Sequence, residues 1–371
     1  MIQPAERLVG PDVTRGVALI GVVIMNYHGY LNGCSAVAGP TSSLAQSMFD
    51  PWTGVLSTRF AATFVLVAGI GISLMTASGT AGGDAQRILA DRWRLVRRGF
   101  LLYAGGFVLN WIWSGTILFF YGAFFVVGSL LFTLRSRTIV AVGTLSMLAA
   151  AGLQWWIALR TRDGDSTAWL TAPDTLGTRS PRGLVFDTFV NGTHPLLPWL
   201  CFLCAGIVLG RHVRTLRRQV IVPAALSMTA LAYLANHLAT RHLSANDPDD
   251  VVWNTVLSTR PFDRGILHTL GTMGIAVAAY CLISWLAERF AGGAPVFALA
   301  ATGRTTLTLY VLHALVFNGF VNWWHWVGPT GLDTALLFAI GFWIVAIALA
   351  AWWQRFIGIG PLERLYRSFG G

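Results

Sequence analysis

Asp12, Arg15, Asn26, His28, His194 and His313 are the side chains best suited to chemistry, because each lies within or at the edge of an apolar stretch. Ionisable groups in such surroundings are costly and mark functional sites. Histidine titrates near neutral pH and is the commonest general base, so histidines gathered toward one face suggest proton handling. Asp12 and Arg15 stand three apart. Asn26 follows Arg15 by eleven residues, close to three helical turns, so Arg15 and Asn26 point the same way, about 16 Å apart along the axis. A helix face that is polar over this length should line a cavity. His28 is rotated away from Asn26 on a regular helix. His313 shares a stripe with Thr306, Tyr310, Phe317 and Trp324, and His194 precedes a Pro-Leu-Leu-Pro-Trp run that suits a helix start. His268 is a further candidate, whereas His237 and His242 flank a span end and read as surface groups. No two histidines sit three or four apart within one apolar stretch and no carboxylate is set among them, so no metal site is expected.

These residues need a scaffold, and the sequence supplies ten apolar stretches near 13–31, 60–79, 99–114, 116–133, 138–159, 195–210, 220–238, 265–286, 305–325 and 334–354. Mean hydropathy is +0.61, and charged residues make up 11% of the 371. Roughly 20 apolar residues cross a hydrocarbon core of about 30 Å, and backbone in lipid must satisfy its own hydrogen bonds. The expectation is an all-α polytopic bundle of about ten transmembrane helices, a single integral membrane domain over 1–371. The basic segment 84–98 reads as an amphipathic interfacial piece ahead of the third and shortest span.

The 26 basic residues are all arginine. Threading ten helices with the N-terminus inside puts 18 of the 26 arginines in the cytoplasm, and the positive-inside rule then makes both termini cytoplasmic. The net charge of +10 is thus explained by anionic headgroups, and nucleic acid is not an expected partner. Loops 32–59, 160–194 and 239–264 fall outside and are long enough to carry function, with Pro40, Pro51, Pro173 and Pro181 breaking them into short pieces. The Leu31-Asn32-Gly33-Cys34 run looks like a lipoprotein cleavage site, yet Asn26, Tyr27 and His28 interrupt the apolar stretch before it, and the first span reads as a retained helix. Cys201 and Cys204 read as packing residues. The arginine-only basic set suggests GC-rich coding, and the expected location is a bacterial cytoplasmic membrane, multi-pass.

Four local motifs resemble the transmembrane acyltransferase superfamily, in particular its YeiB-like and heparan-α-glucosaminide N-acetyltransferase branches. Asp12-Val13-Thr14-Arg15-Gly16 followed by Asn26 is similar to their first helix. His194-Pro195-Leu196-Leu197-Pro198-Trp199 through Gly210-Arg211 is similar to their proline-tryptophan helix. Gly303-Arg304-Thr305-Thr306 through Tyr310 and His313 resembles their penultimate helix, and Gly360-Pro361-Leu362-Glu363-Arg364-Leu365 resembles the YeiB-like ending. The resemblance implies an acyl-CoA-dependent O- or N-acyltransferase. Such an enzyme takes an acyl group, expected to be acetyl, from cytosolic acyl-CoA and passes it to a hydroxyl or amine of an extracytoplasmic glycan or glycolipid. Asn26 falls on the family asparagine beside the reacting centre. The glucosaminide branch places its histidine further into the following loop than His28, and loop 29–59 holds no histidine.

Acyl transfer needs a base for the acceptor proton and a donor for the oxyanion. Catalytic candidates are therefore Asn26, as amide donor, with His28 or His194 as base and His313 lining the channel for the pantetheine arm. Asp12, Arg15, Arg94, Arg97, Arg98, Arg304 and Tyr310 are candidates for holding acetyl-CoA, since arginine binds phosphate in a planar fork. Direct transfer and an acyl-histidine relay both remain open, as do the oligomeric state, with a homodimer among the options, and a continuous passage touching Arg15, Asn26, His194 and His313. The competing functions are a small-molecule or lipid transporter or flippase using the same cavity, and a non-catalytic scaffold. A transporter should show a repeat and helices broken near the midplane; the sequence gives no sign of either.

Overall fold

The computed structural model describes residues 8–31, 44–172, 180–244, 247–328 and 331–370. Arg7, Asn32, Gly33, Cys34, Pro40, Pro173 and Arg179 lie outside the described residues. The first half of the chain forms α1 (Val9–Leu31), α2 (Leu44–Phe49), α3 (Arg59–Gly82), α4 (Ala85–Leu109), α5 (Leu118–Leu131), α6 (Ser136–Arg162) and α7 (Ala168–Thr171). Then come α8 (Pro181–Phe186), a π-helical turn over Asp187–Asn191, α9 (Leu196–Arg211), α10 (Arg218–His242), α11 (Pro248–Val256) and α12 (Ile266–Arg289). The chain continues through α13 (Ala294–Arg304), α14 (Thr306–Phe317), a second π turn (Asn318–Trp323), α15 (Leu332–Phe356) and α16 (Pro361–Gly370). No strand occurs among the described residues.

Each of the ten apolar stretches overlaps a helix, with turns over residues 110–117 between the third and fourth. Six helices are long and apolar enough to cross a membrane, namely α1, α3, α6, α10, α12 and α15. A seventh is counted if the segments Pro181–Asn191 and Leu196–Arg211, bent by 59° at their break, form one span. The expectation of unbroken helices is therefore corrected here: Pro195 and Pro198 sit at the break, and proline cannot supply the N–H that would carry the ladder across it. The third stretch is corrected too. Residues 99–109 are the second half of α4, which starts at Ala85 because the Asp84 carboxylate accepts from the Gln86 and Arg87 N–H groups. Arg92, Arg94, Arg97 and Arg98 are thus helical rather than part of a connecting segment. The long loops carry α2, α7, α8 and α11, the short pieces expected between prolines. Outward faces of α10 and α15 expose Val220, Leu231, Leu337, Ile344 and Val345, an arrangement that lipid favours and water does not.

The chain divides into two compact units, residues 1–67 with 277–365 and residues 68–276 with 366–371. In the first, α1 packs on α13, α14 and α15. Val13, Ala287 and Ala300 form a small core there with Val9, Val17, Ile283, Val296 and Leu299 around it. The crossing of α1 and α13 is close enough that two motif glycines are obligatory. A Cβ on Gly303 would overlap the Asp12 carbonyl, and one on Gly16 would press on the Leu299 carbonyl. In the second unit α4 pairs with α5, and α6 packs on α9 and α11.

Candidate functional site

In the first unit α1 delivers Asn26 to His313 of α14. The Asn26 amide Nδ2 lies 3.3 Å from His313 Nε2, while His313 Nδ1 contacts the Tyr310 carbonyl. A carbonyl only accepts, so Nδ1 carries the proton and Nε2 presents a lone pair to the Asn26 amide. The Tyr27 hydroxyl donates to the His313 carbonyl at 3.0 Å. Tyr27 is itself held in an aromatic cluster, stacked on Phe338 at 4.8 Å and tilted against Phe317 at 5.4 Å. The Tyr310 ring centroid stands 4.7 Å from that of His313. His313 is fully buried and Asn26 partly so. The imidazole is thus fixed in one tautomer and one orientation, with its basic nitrogen aimed at an amide donor. The 3.3 Å separation is longer than the usual 2.9–3.0 Å mode for such a bond.

Two asparagines extend the polar line along the same segment. Asn318 Nδ2 donates to the Ala314 carbonyl, and Asn322 Nδ2 donates to Asn318 Oδ1 at 2.7 Å. Both sit on the π turn that follows α14, a distortion that often accompanies functional sites. The sequence reading passed over them, although two amides interrupting the apolar run 305–325 were a visible signal.

At the other end of α1, Asp12 is buried and gathers both arginines of the motifs. Arg304 Nε donates to Asp12 Oδ2 at 3.0 Å, and Arg15 Nη1 lies 3.7 Å from Oδ1. Glu363 of the tail motif accepts from the Leu307 and Thr308 N–H groups at 2.7 and 3.0 Å and from the Thr308 hydroxyl at 2.6 Å. The helix bearing His313 is therefore capped at its start by a carboxylate from far along the chain, which satisfies N–H groups that have no intrahelical partner. His28 is buried, and its Nδ1 donates to the Phe49 carbonyl at 2.7 Å, so that ring nitrogen is engaged in holding the end of α2.

The other candidates lie in the second unit. The His194 ring meets Trp199 edge to face at 4.4 Å and Phe120 at 5.8 Å, with Nδ1 at 2.8 Å from the Thr193 hydroxyl. Arg264 donates to the carbonyls of Val190, Asn191 and Gly192, closing the π turn just before His194. Burial lowers the Arg264 guanidinium to about 10, and the Asp187 carboxylate acts against that shift; it stays charged at neutral pH. Arg94 pairs with Asp91 at 2.9 Å. Arg98 Nη1 contacts Met75 Sδ at 3.0 Å, and its guanidinium lies 5.0 Å from the Tyr366 ring. Arg97 lines a cavity of about 450 Å³ with Gln86, Leu89, Ala90 and Trp93. His268 is buried with Nδ1 at 3.2 Å from the Thr259 carbonyl, whereas His237 and His242 are exposed. Among the described residues no group of three or more His, Cys, Asp or Glu could hold a metal.

The family model "Heparan-alpha-glucosaminide N-acetyltransferase, catalytic" matches residues 7–246, more than half of the chain. The chain belongs to this family. A second family model, "Protein of unknown function (DUF418)", matches residues 210–370. Asn26 lies in the first match and His313 in the second, so the contact between them joins the two matched segments. A search of the curated proteins gives no match. Membership makes this a multi-pass protein of a membrane acetyltransferase family; the motifs at Asp12–Asn26 and His194–Arg211 fall within the first match, and those at Gly303–His313 and Gly360–Leu365 within the second.

Proposed function

We propose that this protein is a membrane-embedded acyltransferase that moves an acyl group, acetyl in the simplest case, from cytosolic acyl-CoA to a hydroxyl or amine of an extracytoplasmic glycan or glycolipid. The observation that carries the reading is the Asn26–His313 pair. A neutral imidazole with a fixed N–H and a buried lone pair is a general base, and an adjacent amide N–H is an oxyanion donor. In the step we assign, the acceptor oxygen or nitrogen attacks the thioester carbonyl and its proton passes to His313 Nε2. Asn26 turns its amide from the imidazole to the carbonyl oxygen, and the long contact between them costs little to break. Collapse of the tetrahedral intermediate breaks the C–S bond, and His313 returns the proton to the departing CoA thiolate. His313 replaces His28 and His194 as the proposed base. The excess of arginine in the loops read as cytosolic supports a thioester on that side and an acceptor on the other.

The test measures CoA thiol release from acetyl-CoA and stabilisation of the purified protein by acetyl-CoA. Asn26→Ala and His313→Ala are each expected to cut turnover by about 10²- to 10⁴-fold while the protein still folds. The double variant is expected to be little worse than either single one, because the two act as a unit. No stabilisation at any acyl chain length would favour the alternative, a small-molecule or lipid transporter. The 59° break between the two segments around His194 is the observation on that side. Covalent label on His313 after acetyl-CoA alone would turn direct transfer into a two-step relay.

A further inference from the structure

We propose that a cavity in the second unit, enclosed by the end of α3, the α5–α6 turn and the end of α9, binds a phosphate-bearing ligand through Arg135, Arg211 and Arg214. Its volume is about 490 Å³, within the range of roughly 300–1,000 Å³ usual for small-ligand sites. Ser73 and Thr76 contribute buried polar groups to the lining, and no Asp or Glu belongs to it. Three guanidiniums therefore share one concavity without a carboxylate in its wall, an arrangement whose mutual repulsion an anion relieves.

The three arginines are not equivalent. Arg211 is anchored: it donates to the Phe132 and Leu134 carbonyls at 2.8 and 2.7 Å and to the Ser136 hydroxyl at 2.9 Å. These bonds hold the α5–α6 turn in place and satisfy carbonyls at the end of α5. Arg135 and Arg214 are exposed, and their side chains make no hydrogen bond or ion pair with the described residues. Arg135 also stands immediately before α6, whose start has no side-chain cap. The positive end of a 27-residue helix thus opens beside the same cavity, where its unpartnered N–H groups favour an anion. A phosphate offers three acceptor oxygens to planar, forked donors and suits three guanidiniums better than a two-oxygen carboxylate does. Arginines that merely set topology need no concavity to do so.

The same chemistry is presented by a soluble phosphate ester and by an anionic phospholipid headgroup. The experiment uses the full-length purified protein with two probes, inorganic pyrophosphate by calorimetry and short-chain phosphatidic acid against phosphatidylcholine by native mass spectrometry. The double variant Arg135→Ala/Arg214→Ala alters only exposed side chains, so its thermal unfolding is expected to match the parent. It is expected to lose about tenfold or more in affinity for the bound probe, with a weaker salt dependence, and Arg135→Lys/Arg214→Lys should recover part of the loss. Pyrophosphate binding assigns a soluble ligand, and binding of phosphatidic acid alone assigns a lipid. If neither probe binds the parent, or the double variant binds as tightly as the parent, the proposal is overturned. The site does not depend on the acyl-transfer reading: Asn26→Ala and His313→Ala should leave this binding unchanged.

Discussion

In the first unit Asp12 is matched by Arg304 and Arg15, and Glu363 by the start of α14. In the second, Arg97, Arg135 and Arg214 stand on exposed faces with no partner among the described residues. The difference follows from burial. Asp12 and Glu363 are 5% and 8% exposed, and a buried carboxylate without donors would be neutralised or would unfold its surroundings. An exposed arginine keeps its hydration and needs no partner. Charged motif residues of the first unit thus hold helices together, while Arg97, Arg135 and Arg214 of the second remain available to ligands or headgroups. The roles expected for Arg15 and Arg304 in holding CoA phosphates now compete with their engagement to Asp12.

Four substitutions would break or sharpen this contrast. The largest effect is expected at Gly303→Ala, where the new methyl meets backbone rather than a movable side chain. A loss of about 3 kcal/mol or more, read by unfolding in detergent, is expected, and a near-neutral result would mean that α1 and α13 separate easily. Asp12→Ala removes the acceptor of two arginines, and about 2 kcal/mol should be lost, less than the full buried-pair figure because both arginines are about a quarter exposed. Glu363→Ala leaves two N–H groups and a hydroxyl without their acceptor, so a loss of roughly 1–2 kcal/mol is expected, with Glu363→Gln keeping part of it. Arg135→Ala marks the other side of the contrast and should change stability by no more than about 0.5 kcal/mol.

How far the sequence led can be judged from these same residues. The apolar stretches were legible because lipid leaves a long, unbroken signal, and the Asp12–Arg15 pair because it is local. The start of α4 was hidden by its arginines: hydropathy averages fall where a helix carries charge, although the Asp84 cap and the periodic pattern lie in plain view. The prolines marked the start of α9 at Leu196, but the 59° bend to the segment before it was not legible, because prolines at a helix start and prolines at a kink look alike. Nothing in spacing could pair Asn26 with His313, 287 positions apart, or Asp12 with Arg304. Such pairings belong to helix packing, and a single sequence carries no record of which faces meet. Only the resemblance drew attention to the tail motif, and its physical role, a carboxylate on the first turn of α14, came from the structure.

That carboxylate has a consequence for biogenesis. Residues 361–363 leave the ribosome after α14 and α15, so the segment bearing His313 enters the bilayer with its leading amides still unmet. Maturation of this corner of the protein must await synthesis of residues 361–363, and a chain cut before residue 361 would lack the acceptor that meets the leading amides of α14.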